Sequence, residues 1–243
     1  MILAGTAGWS IPRAAAGRFP GEGSHLERYA RVLRAAEINS SFHRPHRRDL
    51  YEKWARSTPR GFRFSVKLPR AITHDARLRR ARAPLEAFLA QVAGLGSRLG
   101  PLLVQLPPSF AFEAKVALRF FTLLRALHDG PVAFEPRHAT WFAQDADRLL
   151  VDHRIARVAA DPAIVPEAAR PGGHRGLAYY RLHGAPRRYW SQYPEERVRE
   201  WAAELRALPA RTQAWCIFDN TAGSGAVPNA LEVLEAASAH FPS

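Results

Sequence analysis

In this 243-residue chain, Glu135-Pro136-Arg137-His138 and Arg181-Leu182-His183-Gly184 each set acid–base and anion-binding side chains two residues apart. On an extended segment that spacing turns both side chains to one side, so Glu135 faces with Arg137, and Arg181 with His183. Glu135 could serve as a base or metal ligand, and the planar fork of Arg137 suits a phosphate or carboxylate. The same two residues could equally form a closed ion pair with a purely structural role. A histidine's reference pKa lies near neutrality, which makes His183 a candidate general acid or base; the alternative is a core histidine bonded to a carbonyl. Lys67 ends the alternating segment Phe62-Arg63-Phe64-Ser65-Val66-Lys67 and is one of only three lysines, with Lys53 and Lys115. It could bind an anion or, once desolvated, form a Schiff base.

Other chemistries find less support. A Ser-His-Asp triad has no G-x-S-x-G to stand on, and the sole cysteine, Cys216, falls mid-strand where burial is expected. Gly5-Thr6-Ala7-Gly8 lacks the third glycine of a dinucleotide fingerprint, so no nucleotide cofactor is expected. His74, Glu135, Asp161, His183 and Asp219 offer oxygen and nitrogen ligands that keep a divalent metal open as a cofactor, although no HxxxH or clustered motif assigns one.

Residues this far apart in sequence need a frame that brings them together. Short apolar runs recur at Ile2–Thr6, Ala35–Ile38, Phe62–Lys67, Leu102–Leu106, Val132–Glu135, Ala156–Ala159, Leu177–Leu182 and Gln213–Phe218. Helical stripes or long crossovers separate most of them, including Leu26/Tyr29/Ala30/Leu33 behind a capping box at Ser24 and Glu27, and a last helix from about Asn229 to Ala239. Strands alternating with helices imply parallel pairing, and eight such units predict an α/β fold, a single (β/α)8 TIM-type barrel spanning residues 1–243. A doubly wound open sheet is the alternative, but it should show five or six strands. In a barrel the catalytic face lies at the C-terminal strand ends. That rule gathers Asn39, Lys67, His74, Gln105, Glu135, Arg137, Trp141, Asp161, Arg181, His183, Asp219 and Asn220 on one rim. Trp9, Phe42, Trp141, Tyr189 and Trp190 would join them there as a stacking floor or as plugs of the mouth.

The net charge is +13, and 32 of the 35 basic residues are arginine. The stretch Arg44–Arg82 holds 13 basic and 3 acidic side chains. Such a surface invites an anionic partner, either nucleic acid or an anionic small molecule. One cysteine excludes an intrachain disulfide, no run of about 18 apolar residues could span a membrane, and the start has no signal-peptide pattern. A cytoplasmic protein without a membrane partner is expected.

The strand ends also resemble a known family. Gly5-Thr6-Ala7-Gly8-Trp9, Glu37-Ile38-Asn39-Ser40-Ser41-Phe42, Phe64-Ser65-Val66-Lys67 with Ile72-Thr73-His74, and Leu99 through Pro108 resemble the YecE-like family, domain-of-unknown-function family seventy-two. Glu135-Pro136-Arg137-His138 with Trp141, Arg181-Leu182-His183-Gly184, and Phe218-Asp219-Asn220 with Asn229-Ala230 continue the likeness in order. The resemblance implies one TIM-type barrel and supplies no activity. This chain departs from it at Ala7, His43 and Asp219, the last adding a carboxylate at the rim. The expectation is an enzyme binding a phosphate-bearing or other anionic substrate at the C-terminal rim. Glu135, His183 and Asp161 would be catalytic, with Asn39, Lys67, His74, Gln105, Arg137, Trp141, Arg181 and Asn220 binding substrate. Phosphodiester hydrolysis is the leading reaction; a non-catalytic nucleic-acid binder or a sugar-phosphate isomerase or lyase are the alternatives.

Overall fold

The computed structural model describes residues 2–238. Ten strands run in the spatial order β7-β9-β10-β1-β2-β3-β4-β5-β6-β8. They are β1 (Ile2–Ala7), β2 (Ala35–Ile38), β3 (Arg63–Lys67), β4 (Leu99–Gln105), β5 (Val132–Glu135), β6 (Ala156–Arg157), β7 (Ala159–Asp161), β8 (Gly172–Gly173), β9 (Leu177–Leu182) and β10 (Gln213–Phe218). All pairings are parallel except β6 with β8. β6 pairs with β5 and β7 with β9, so the segment Ala156–Asp161 joins the two ends of the sheet and nearly closes the barrel. The expected sixth strand is therefore two short pieces divided at Val158, each hydrogen-bonded to a different neighbour.

Helices α1 (His25–Val32), α2 (Arg48–Arg56), α3 (Arg82–Val92), α4 (Ala114–Leu127), α5 (Gln144–Asp152), α6 (Glu195–Arg206) and α7 (Ala226–Ser238) pack outside. Ser24 and Glu27 form the expected reciprocal cap of α1. The segment after β7 carries a short 3-10 turn at Pro166–Ala169 and the two-residue β8 in place of an α-helix. Two glycines have no side-chain periodicity, so β8 is invisible to pattern reading. The last helix starts at Ala226, three residues before the expected Asn229, and the expected end at Ala239 lies outside the described residues. None of the described helices is long and apolar enough to cross a membrane.

Side chains divide by parity. In six strands odd-numbered residues form the inner cluster, with Leu3, Ala35, Leu103, Ala133, Leu177, Tyr179, Trp215 and Ile217 filling the barrel. Even-numbered partners such as Ala36, Val104, Phe134, Tyr180 and Phe218 pack outward under the helices. Cys216 belongs to this outer layer and is buried, as expected of a mid-strand cysteine. Continuing the odd positions upward places Glu37, Lys67, Gln105, Glu135, Arg137, Arg181, His183 and Asp219 above the apolar floor, at the end where catalytic groups of such barrels sit.

Close approach of β1 to β2 depends on Gly5. A Cβ there would stand 1.9 Å from the Ala35 carbonyl oxygen and 3.0 Å from the Tyr29 hydroxyl, which donates to that carbonyl and receives the Thr6 amide. Gly5→Ala should lower stability by about 3 kcal/mol or more through overpacking. Gly17→Ala, with open space around it, should stay within about 0.5 kcal/mol of wild type. Urea unfolding of both variants checks the contrast, and equal midpoints would contradict it.

Candidate active site

The mouth of the barrel is organised around the Arg181 guanidinium on β9. Its Nε lies 3.0 Å from Glu37 Oε2 and its Nη2 2.7 Å from Glu37 Oε1, a two-pronged grip across the barrel from β2. Nη1 donates to Glu135 Oε2 at 3.2 Å, and Nη2 lies 3.0 Å from Asp219 Oδ2. Tyr179, two residues below Arg181, donates its hydroxyl toward Glu37 Oε2 or Ser65 Oγ, each at 2.9 Å. Gln105, facing Glu135 in the β4–β5 register, donates to Glu135 Oε2 at 3.1 Å. Glu37, Glu135 and Arg181 are each at most 1% exposed. Charges this deeply buried persist only when paired and hydrogen-bonded, and here they are.

A second layer sits above. His183 Nδ1 is 2.9 Å from Asp219 Oδ2, and its Nε2 is 2.9 Å from Glu135 Oε1 and 2.8 Å from Arg137 Nη2. Arg137 Nη2 and Glu135 Oε1 are themselves 2.6 Å apart. Nε2 can donate to Glu135 when protonated or accept from Arg137 when bare, but not both at once. Glu135 and Arg137 therefore compete for Nε2, while Asp219 faces Nδ1.

Electrostatics follow the pairing. Burial alone would raise the Glu135 carboxyl, but Arg137, Arg181 and His183 outweigh it and hold the group well below the usual carboxylate range. Asp219 is also lowered, burial being outweighed by Arg181 and His183. Arg181 is raised well above an ordinary arginine, because Asp219, Glu37 and Glu135 overcome the cost of burial. Lys67 differs. Burial first and then Arg181 depress its ammonium to about 8, only partly offset by Glu37, Glu135 and Asp219. Its Nζ lies 4.1 Å from the centre of the Phe42 ring. His74 meets the same ring at 4.8 Å, accepts or donates at Thr73 Oγ1, and is pushed down to about 4 by burial and by Lys67.

Of the residues expected at the site, Lys67, Gln105, Glu135, Arg137, Arg181 and His183 form this cluster, with Asn39 and His74 on its rim. Asn39 follows β2 and its buried Oδ1 has no hydrogen-bond partner. Three others stand elsewhere. Trp141 packs among Phe110, Phe112 and Phe134 and donates its indole N–H to the Phe110 carbonyl, so it belongs to the core. Asp161 accepts from the Tyr193 hydroxyl at 2.7 Å and anchors the loop after β9; the carboxylate beside His183 is Asp219 instead. Asn220 ties Ser191 to Asn229 beneath the same loop. Gly184 opens that loop at φ +90°, where a Cβ would meet the Ser191 carbonyl at 2.8 Å. Glu37 is the partner the sequence did not mark as a site residue; Asp219, read from sequence as a rim carboxylate and candidate metal ligand, pairs with His183 and Arg181. A carboxylate inside the apolar run Ala35-Ala36-Glu37-Ile38 is the signal for Glu37, since burial there demands a cation.

Among the described residues no group of three or more His, Cys, Asp or Glu side chains is arranged to hold a metal. The carboxylates of the mouth face guanidinium groups, the donor set of an ion-pair network. Beside it on the same rim, a cavity of about 320 Å³ opens between the ends of β1 and β10, lined by Thr6, Ser10, Thr221 and Ser224 among others.

The sequence profile of the family described as "Protein of unknown function DUF72" matches residues 3–242. The chain belongs to the DUF72 family. It is 31% identical over 180 residues to the UPF0759 protein YecE of Escherichia coli K12, covering 70% of this chain and 62% of that protein. It thus spans less than two thirds of that relative's length. The UPF0759 protein YunF of Bacillus subtilis 168 is 23% identical over 268 residues, covering 97% of this chain and 94% of that one. A crystal structure of a DUF72 family protein from Thermotoga maritima MSB8 superposes with a TM-score of 0.79 at 25% identity, covering 97% and 98% of the two chains. One from Enterococcus faecalis V583 gives 0.82 at 20% identity, over 100% and 97%. The barrel is therefore the DUF72 fold.

Glu135→Gln leaves Arg137 and Arg181 facing a neutral amide and should cost about 3–5 kcal/mol at pH 7. A depressed carboxylate stabilises above its unfolded pKa of about 4.3 and loses that contribution as pH falls through its folded value. The gap between wild type and Glu135→Gln should therefore narrow steadily below about pH 4. Urea titrations from pH 7 to 3 read it out; a constant gap would contradict the pairing.

Proposed function

We propose that the barrel mouth is the active site of an enzyme that binds a small anionic substrate and moves a proton at His183 Nε2. The observation carrying this reading is the position of Nε2 between a carboxylate and a guanidinium, with Nδ1 fixed by Asp219. A general acid or base needs a held tautomer and an atom free to change its proton, and this arrangement supplies both. Lys67 and Arg137 supply positive charge at the rim, and Lys67 Nζ is not among the enclosed atoms, so it is open to a ligand. Arg181 is committed to three carboxylates, so its part is to hold Glu37, Glu135 and Asp219 in place.

Sugar-phosphate isomerisation or lysis fits this mouth better than phosphodiester hydrolysis. The former needs a proton moved beside a carbonyl in a small enclosed site. The latter needs a water or metal aligned by free carboxylate oxygens, and here those oxygens are engaged. The basic stretch also counts less toward nucleic acid than its total suggests. Arg47, Arg48, Arg56, Arg70, Arg79 and Arg82 pair with Asp49, Glu52, Asp75, Glu113 and Glu86 on exposed faces.

A nucleic-acid reading keeps one observation in its favour. Tyr189 and Trp190 are 42% and 49% exposed, and the Arg187 guanidinium stacks 4.4 Å over Trp190. Single strands bind such aromatic and basic loops.

On a panel of phosphorylated sugars, the wild-type enzyme should turn over at least one, and His183→Asn should lower kcat by about 10²–10⁴. Unchanged turnover in His183→Asn would remove the acid–base assignment. Tight, salt-sensitive binding of single-stranded DNA, abolished by Trp190→Ala and untouched by His183→Asn, would favour the second reading.

A further inference from the structure

We propose that Lys67 is the covalent nucleophile of the mouth, its Nζ forming an imine with the carbonyl carbon of a small anionic hydroxy-aldehyde or hydroxy-ketone. The proposal rests on the reading of the mouth as an anionic-substrate site and names the substrate class.

Lys67 stands apart from the other cations there. Arg137 Nη2 lies 2.6 Å from Glu135, and Arg181 is bound to Glu37, Glu135 and Asp219. Among the described residues no carboxylate oxygen comes within 4.0 Å of Lys67 Nζ, whose partner is the face of Phe42. A cation meant only to neutralise the mouth would be expected to take one of its three carboxylates. Lys67 is 6% exposed, yet Nζ is not among the enclosed unpaired atoms of the protein, so solvent reaches it. The amine is thus desolvated by its surroundings and still open at the barrel end. It sits at the C-terminal end of β3, one strand from Asn39 and two from Glu135.

The groups around it set its protonation. Arg181 on β9 opposes the ammonium form, while Glu37 on β2, Glu135 on β5 and Asp219 after β10 favour it. Phe42 and His74 close the loop side, and His74 is itself held neutral near pH 7 by its depressed pKa. The balance leaves a usable share of free amine at mildly alkaline pH, which an ordinary lysine lacks.

The step balances without any further reactant. Neutral Nζ adds to the carbonyl carbon, forming the C–N bond as the C=O π pair moves to oxygen, which takes a proton. The resulting carbinolamine then loses its hydroxyl as water, using a second proton, while nitrogen gives one up. The overall change is R₂C=O + Lys–NH₂ + H⁺ → R₂C=NH–Lys⁺ + H₂O. His183 Nε2 is the proton-exchanging atom of the same mouth. The substrate's phosphate or carboxylate would meet Arg137 at Nη1, which is neither enclosed nor hydrogen-bonded, whereas Nη2 is held by His183 and Glu135.

With only three lysines, the test has internal controls, since Lys53 and Lys115 are exposed. The protein is incubated with glyceraldehyde 3-phosphate or dihydroxyacetone phosphate, reduced with borohydride and mapped by peptide mass. At least one probe should label Lys67 about tenfold faster than Lys53 or Lys115, with yield rising as pH passes through about 8. Lys67→Arg should keep the fold by circular dichroism and lose the preferential label. Equal labelling of the three lysines, or none at Lys67 with any probe, overturns the imine. Calorimetry with the same probes separates the two claims. Binding that weakens in Arg137→Ala without any Lys67 adduct ends the nucleophile while the anionic site survives, and no binding at all ends both.

Discussion

A guanidinium buried inside a β-barrel must be surrounded by its counter-charges, and in this protein that requirement falls on Arg181. Glu37, Glu135 and Asp219 reach it from β2, β5 and the end of β10, three strands that are not direct neighbours in the nearly closed sheet. Losing one partner would strand a buried charge, a far larger penalty than losing an exposed ion pair. The network therefore depends on strand register, and strand register is in turn held by the apolar floor of Leu3, Ala35, Leu103, Ala133 and Trp215 below it.

Two side chains escape this locking. His183 sits where Glu135 and Arg137 compete for one ring nitrogen, and Lys67 rests on an aromatic face instead of a carboxylate. The immobilised members give the other two a fixed electrostatic setting, and Tyr189, in the loop anchored by Tyr193, Asp161, Asn220 and Asn229, stands edge-on to the His183 ring at 5.7 Å. The large net charge contributes little to that setting. Lys67, Arg137 and Arg181 balance Glu37, Glu135 and Asp219, so the mouth is polar without a formal excess, and the arginine surplus lies mostly outside.

The barrel was readable because its signals are repetitive: eight apolar runs, helical stripes between them and a cap such as Ser24–Glu27. The two-residue spacing of Glu135/Arg137 and Arg181/His183 likewise translated directly into inward-facing pairs. What escaped the sequence depends on distance. Which carboxylate would meet His183 follows from how β10 ends, and neither Asp161 nor Asp219 advertises that locally. Glu37 looked like part of a motif until its strand was placed opposite Arg181. Trp141 lies just beyond a strand end in sequence, but the turn Ala139–Phe142 folds it back under α4, where Phe121 receives it.

The central claim is that the barrel mouth, and not the arginine-rich exterior, receives the substrate. An experimental structure of the protein bound to a phosphorylated sugar tests it most directly. The ligand is expected in the mouth with its anionic group on Arg137, its carbonyl carbon at Lys67 Nζ, and the Arg181 network unchanged. A ligand seated on the Arg44–Arg82 exterior with the mouth empty would contradict it.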